Sequence, residues 1–138
     1  LGPDLLAPDT DPAALPARAR ELLEPDTLAA DVLLDQRVAA GIGNVYKSEL
    51  LFLHGVSPRR PLARLDDATL TALYATAADL LHRNLGGGPR VTRFEPGADT
   101  WVYGRRGHPC ARCGTPVRAE RLGRTWRDTY WCPRCQPA

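Results

Sequence analysis

The sequence predicts a mostly α chain that closes on a small, cysteine-anchored β-hairpin. Three observations lead there. Apolar side chains recur at three- and four-residue spacing between residues 16 and 85, the period shortens beyond residue 116, and two Cys-x2-Cys pairs bracket that last stretch. The 138 residues are 43% hydrophobic and 25% charged, with no long apolar run. That composition disfavours a transmembrane helix, a secretory apolar segment and a fully disordered chain. A soluble, cytoplasmic, monomeric protein is expected, with one ordinary domain or two small ones. Methionine is absent and the first residue is Leu1, so the chain is expected to be a piece of something longer.

Residues 1–16 carry four of the prolines among aspartates and little apolar content, which suits a linker over 1–15, although Leu5, Leu6 and Leu15 can pack locally. A helical domain is expected over 16–99. Its first helix starts at Pro16 with Ala19, Leu22 and Leu23 on one face, and Pro25 interrupts that helix and opens a second. The second carries Leu28, Val32 and Leu33 and leads to Asp35 and Gln36. Gly41-Ile42-Gly43-Asn44 then makes a tight turn before a third helix over 45–53. The fourth helix has the clearest pattern: Asp66 or Asp67 caps it, and Leu70, Leu73, Tyr74, Ala77, Leu80 and Leu81 line one face. Gly86-Gly87-Gly88-Pro89 ends it, and 86–100 is expected as a loop. In the remaining unit, 100–138, two strands over 117–122 and 125–131 are joined across Gly123-Arg124.

Net charge is +2, but it is unevenly spread. Residues 1–58 hold four basic against nine acidic side chains, whereas 90–138 hold ten arginines against four acids. The last third therefore faces a polyanion. An arginine-rich coding bias would also produce the excess of arginine over lysine, so the clustering is the stronger sign.

Cys110-x2-Cys113 and Cys132-x2-Cys135 are separated by eighteen residues. Four thiolates at about 2.3 Å complete a tetrahedral Zn²⁺ and leave no open position, so one structural zinc is expected. Two disulfides or a redox pair are the other uses of such cysteines, and the intracellular composition disfavours the first. About forty residues bury too little to fold alone, whereas structural zinc contributes on the order of 10 kcal/mol. His108 is expected as a surface histidine. Arg118, Arg121, Arg124, Arg127 and Arg134 lie on or beside the hairpin, where they face a phosphate backbone or form a solvated surface.

The turn Gly41-x-Gly43-Asn44 has two readings. It can be a plain capping turn, or small residues, backbone N–H groups and the helix dipole can hold a phosphate there. Lys47 sits in the first turn, where a cation is poor for the helix but good for a phosphate. His54, at the far end, is expected to complement the C-terminus.

Two segments together resemble a known family. Leu34-Asp35-Gln36, Gly41-Ile42-Gly43-Asn44-Val45-Tyr46-Lys47-Ser48-Glu49 and Gly55-Val56-Ser57-Pro58 resemble the helix-two-turn-helix element of the formamidopyrimidine-DNA glycosylase and endonuclease VIII family. Val102-Tyr103-Gly104-Arg105-Arg106-Gly107 and the hairpin ending Trp131-Cys132-Pro133-Arg134-Cys135-Gln136 resemble its C-terminal zinc finger. Leu1-Gly2-Pro3-Asp4 is similar to the hinge after the family's first domain. The resemblance implies the DNA-binding half of a bifunctional glycosylase and AP lyase of base-excision repair, associated with the nucleoid. Such enzymes flip an oxidised base from damaged double-stranded DNA, attack the sugar with an N-terminal proline and cleave by β,δ-elimination. It further implies that Gly41, Gly43, Asn44, Lys47 and Arg127 hold the backbone, and that a missing N-terminal catalytic domain is a partner. No catalytic residue is expected here, so the chain alone is expected to be inactive. The short stretch between Gly88 and Trp101, and Lys47 after Tyr46, point to the endonuclease VIII branch and oxidised pyrimidines. The alternative is a stand-alone zinc-containing nucleic-acid-binding module without catalysis.

Overall fold

Prolines and glycines set most element boundaries in the computed structural model, which describes residues 1–138. Helix α1 spans Leu15–Leu22, α2 Ala29–Leu34, α3 Asn44–Leu53 and α4 Asp67–Arg83; strands β1 (Arg118–Leu122) and β2 (Arg127–Trp131) follow. Short 3-10 turns lie at Pro12–Ala14 and Leu62–Arg64. Helical residues make up about a third of the chain. The architecture is thus a helical unit plus a hairpin finger, with more irregular backbone than "mostly α" implies. No helix is long and apolar enough to cross a membrane.

The segment expected as a linker packs against the helices. Leu5 and Leu15 are buried in the main core, and Asp4 bridges Ala40, with Leu5 N–H donating to the Ala40 carbonyl at 3.1 Å. Pro25 does not open α2. Leu28 is extended and bridges Pro61, with Leu62 N–H donating to the Thr27 carbonyl at 2.8 Å, so the helix waits until Ala29. Helix α4 follows its periodicity: Asp66 caps it by accepting from Thr69 N–H at 2.8 Å, and Leu70, Leu73, Tyr74, Ala77 and Leu80 are its buried stripe. His54 ends α3 and joins it to α4 through the Thr76 hydroxyl, 2.8 Å from Nε2.

The hairpin turn is longer than expected. Residues 123–126 lie between the strands, and Trp126 takes a left-handed backbone at φ 50°, which delays β2 to Arg127. β1 and β2 are antiparallel, with Arg121 opposite Asp128 and Leu122 opposite Arg127. Leu122 and Trp131 of the hairpin join the main helical core, while Phe52 of α3 packs with Val102, Cys110, Val117 and Cys132 in a second cluster. The finger and the helices therefore share apolar contacts in both directions, and α3 is the element between them.

Candidate nucleic-acid interface

The cysteines come first, because they fix the hairpin. Their four sulfurs lie within 4.8 Å of one another. Cys113 and Cys132 sulfurs are 3.5 Å apart and those of Cys110 and Cys135 are 3.8 Å apart. Tetrahedral bonds of 2.3 Å require sulfur–sulfur edges of about 3.8 Å, so the set fits zinc. Arg112 and Cys135 N–H groups point at sulfur, each at 3.4 Å, and Gly114 supplies the positive φ of the first knuckle at 80°. His108 is exposed and outside the cluster. The Gln136 side chain then ties the metal knuckle to the helical unit. Its Oε1 accepts from Cys132 N–H at 2.9 Å and its Nε2 donates to the Val56 carbonyl at 3.0 Å.

Gly41, Gly43, Asn44 and Arg127 line one open cleft of about 550 Å³, together with Leu34, Gln36, Ile42 and Thr125. Residues far apart in sequence thus meet on a single concave face. Gln36 shapes the glycine turn: its Nε2 donates to the Leu34 and Ile42 carbonyls at 3.0 and 2.9 Å, and its Oε1 accepts from Gly41 N–H at 3.0 Å. Gly41 needs its missing side chain, because φ is 129° and a Cβ would lie 3.0 Å from Leu81 Cδ1. The first bond of α3 is Lys47 N–H to the Gly43 carbonyl at 2.9 Å. The N–H groups of Asn44, Val45 and Tyr46 consequently have no acceptor within the helix.

Asn44 is the first residue of α3, and Gly43 is its cap. Its side chain therefore does not cap the helix; it reaches the hairpin instead. Asn44 Nδ2 donates to the Asp128 carbonyl at 2.9 Å, and its Oδ1 accepts from Lys47 Nζ at 2.5 Å. Lys47 departs most from expectation. It is fully buried, and Nζ also donates to the Asp128 carbonyl at 2.9 Å and the Thr129 hydroxyl at 2.8 Å. All three of its protons are used inside the protein, so the side chain braces Asn44 against β2 and is not offered to a phosphate. Burial pulls its pKa down to about 8, the nearby Arg127 charge adds to this, and Asp31 and Asp128 oppose it.

Arg127 is exposed and has no carboxylate partner, in contrast to Arg121, which pairs with Asp128 at 3.3 Å. Arg118, Arg124 and Arg134 are exposed as well. What holds Arg127 in place is the turn before it, and that turn is capped by Asp31. The Asp31 carboxylate accepts from Arg124 N–H at 2.8 Å, Thr125 N–H at 3.3 Å and the Thr125 hydroxyl at 2.7 Å. Gly123 leaves room for it, since a Cβ there would lie 2.5 Å from both carboxylate oxygens.

Glu49 does the equivalent work at the other end of the finger. Fully buried, it accepts from the Thr92 hydroxyl and from Trp101, Val102 and Tyr103 N–H at 2.6, 2.9 and 3.0 Å. Gln36, Asp31 and Glu49 had no assigned role in the sequence. For Asp31 and Glu49 the signal is a carboxylate among apolar neighbours at helical spacing, which alone does not name a partner.

Comparison with known proteins places these features. The formamidopyrimidine-DNA glycosylase H2TH domain family matches residues 1–95, and the zinc finger found in FPG and IleRS matches 107–138. With that match, the four cysteines are the ligands of one structural zinc. The DNA-(apurinic or apyrimidinic site) lyase Nei2 of Mycolicibacterium smegmatis is 45% identical over 140 residues, covering 100% of this chain and 53% of the relative. A probable endonuclease 8 2 of Streptomyces coelicolor is 47% identical over 138 residues, covering 99% of this chain and 49% of the relative. Relatives named formamidopyrimidine-DNA glycosylase are 37–40% identical. A solved complex between the Lactococcus lactis Fpg and an abasic site containing DNA superposes with a TM-score of 0.79 at 25% identity, over 100% of this chain and 52% of that one. The chain spans about half the length of the curated relatives it matches.

Proposed function

Because the chain belongs to the formamidopyrimidine-DNA glycosylase H2TH family, we propose that it is the C-terminal, DNA-gripping half of a DNA glycosylase and AP lyase of base-excision repair. The observation that carries this reading is the cleft shared by the α3 N-terminus, Asn44 and Arg127. Free helix amides, the second Nδ2 proton of Asn44 and an unpaired guanidinium are all donors, and a phosphodiester is all acceptor. Gly41 and Gly43 present no side chain to the cleft, so the backbone of a strand can approach the amides closely. Arg127 then closes on the phosphate from the finger side. Lys47 acts behind this surface, holding Asn44 and the Asp128 carbonyl in register.

None of these groups is a nucleophile, and in this reading base removal and strand cleavage fall to the rest of a longer parent protein. Its catalytic domain would be this chain's partner, and damaged duplex DNA the common substrate. Flipping a base costs a few kcal/mol, and a rigid grip on the adjacent backbone offsets part of that cost. The higher identity to relatives named endonuclease 8 or Nei2 supports the endonuclease VIII branch, and with it oxidised pyrimidines.

Binding of the zinc-loaded chain to duplex DNA across a salt series tests the grip. Arg127→Ala should weaken binding on every sequence and lower the slope of log K against log salt by about 1. An unchanged slope removes Arg127 from the contacts. Borohydride trapping on abasic DNA tests the chemistry: the longer parent should form a covalent adduct, and failure to do so would favour a binding module without catalysis.

A further inference from the structure

The three tryptophans are treated very differently. Trp101 has the guanidiniums of Arg93 and Arg112 over its ring and stacks on Phe52, and Trp131 lies under Arg59. Trp126 has no aromatic or cationic partner and no hydrogen bond from its indole N–H, and it is 63% exposed. It also stands in a left-handed backbone conformation, φ 50°, which costs a non-glycine residue roughly 1–2 kcal/mol. The turn presenting it is not loose, because Asp31 pins Arg124 and Thr125 immediately before it. Its ring borders a second open recess of about 350 Å³, lined also by Asn44, Arg121, Arg127 and Asp128. Asn44 and Arg127 therefore separate the two recesses, with the phosphate-gripping cleft on one side and the bare indole on the other.

We propose that Trp126 is a stacking platform for an unstacked nucleobase next to the phosphate held by Asn44 and Arg127. The inference rests on the phosphate grip proposed above and adds a ligand class to it. A cationic groove that tracks the backbone beside an exposed aromatic ring is the arrangement by which proteins hold bases that have lost their neighbours. A base within an intact duplex is already stacked on both faces and has nothing to offer the indole. A base at a bulge, an abasic gap or in a single strand has a free face. The ring therefore gives the chain a preference for DNA whose stacking is interrupted, without reading which base is there.

The test compares the zinc-loaded chain with Trp126→Gly and Trp126→Phe on three labelled DNAs of equal length: an intact duplex, a duplex with a two-base bulge, and a single strand. Glycine accepts the backbone of residue 126 more readily than tryptophan does, so Trp126→Gly should melt no lower than the parent. That variant should lose roughly 5- to 100-fold in affinity for the bulge and the single strand, the range of one base–aromatic stack. Its affinity for the intact duplex should change less than about twofold, and its salt slope should not change. Trp126→Phe should keep most of the preference, and the quenching of indole fluorescence by the bulged DNA should vanish in both variants. An equal loss on all three DNAs, or no loss on any, overturns the proposal. If Trp126→Gly does nothing while Arg127→Ala still lowers affinity and slope, stacking falls and the phosphate grip stands. If Arg127→Ala also does nothing, both fall.

Discussion

Replacing Glu49 by glutamine changes one atom and should loosen the attachment of the finger. Each carboxylate oxygen accepts two bonds: Oε1 from Thr92 and Trp101 N–H, Oε2 from Val102 and Tyr103 N–H. An amide has to place a donor at one of these positions. At the second it would face two backbone N–H groups. At the first it faces only Trp101 N–H, since the Thr92 hydroxyl can rotate to accept, so that orientation wins. The variant then loses one bond to a charged acceptor, worth about 1.5–3 kcal/mol, and buries an orphaned N–H at a similar cost. The two remaining bonds weaken as the charge disappears. Partial relaxation brings the total to about 2–4 kcal/mol. For a chain of this size each kcal/mol moves the melting temperature by about 3–5 °C, so differential scanning calorimetry of the zinc-loaded protein should show a fall of about 10 °C. Glu95→Gln, on an exposed loop residue, serves as the control. A fall under about 3 °C for Glu49→Gln would refute the reasoning, because it would mean that the buried carboxylate is not holding the Trp101–Tyr103 backbone.

The hairpin turn, the buried lysine and the metal give further expectations. Gly123→Ala forces a left-handed alanine into Asp31, so it should destabilise the protein by about 3 kcal/mol and weaken DNA binding as Arg127 loses its support, read by urea unfolding and by titration. Lys47 gives up its proton near pH 8 when folded but near its ordinary 10.5 when unfolded. Between these values the unfolded chain binds more protons, so stability should rise with pH by no more than about 3 kcal/mol, and this climb should be missing from Lys47→Met. DNA affinity should fall over the same window in the parent, as Asn44 loses its charged brace. Chelation of zinc should disturb Trp131 as well as the finger, because Leu122 and Trp131 belong to the helical core. Near-UV circular dichroism with a loss confined to the cysteine knuckles would contradict that coupling.

The legible parts of the fold were those whose cause is local. Cysteine spacing announced the metal site, and the Leu70–Leu80 stripe announced α4, because each pattern needs nothing beyond its own segment. The place of Lys47 is illegible for the opposite reason. A lysine in a first helical turn looks solvated, and its acceptors, the Asp128 carbonyl and the Thr129 hydroxyl, come from more than 80 positions away. Asp31 and Glu49 look like ordinary helix carboxylates until the backbone amides of the finger are set against them. Residues 1–15 read as linker because proline and aspartate dominate, yet Leu5, Leu15 and backbone bonds to Gln36 and Ala40 dock them. The start of α2 is not legible locally because Thr27 and Leu28 pair with 61–62, a partnership that no helix-start signal encodes.

Arg127 occupies the same strand face as Thr129 and Trp131, both buried against the helical unit, and it escapes burial only by standing at the strand end. Side chains alternate sides along a strand. Inserting a single residue in β2 between Arg127 and Thr129 would thus turn the guanidinium to the outer side of the ribbon, and would also displace the Asp128 carbonyl to which Asn44 and Lys47 donate. Length changes in this protein are tolerable in the glycine-rich tract at 86–88 but not there, where parity of the chain decides whether the grip exists.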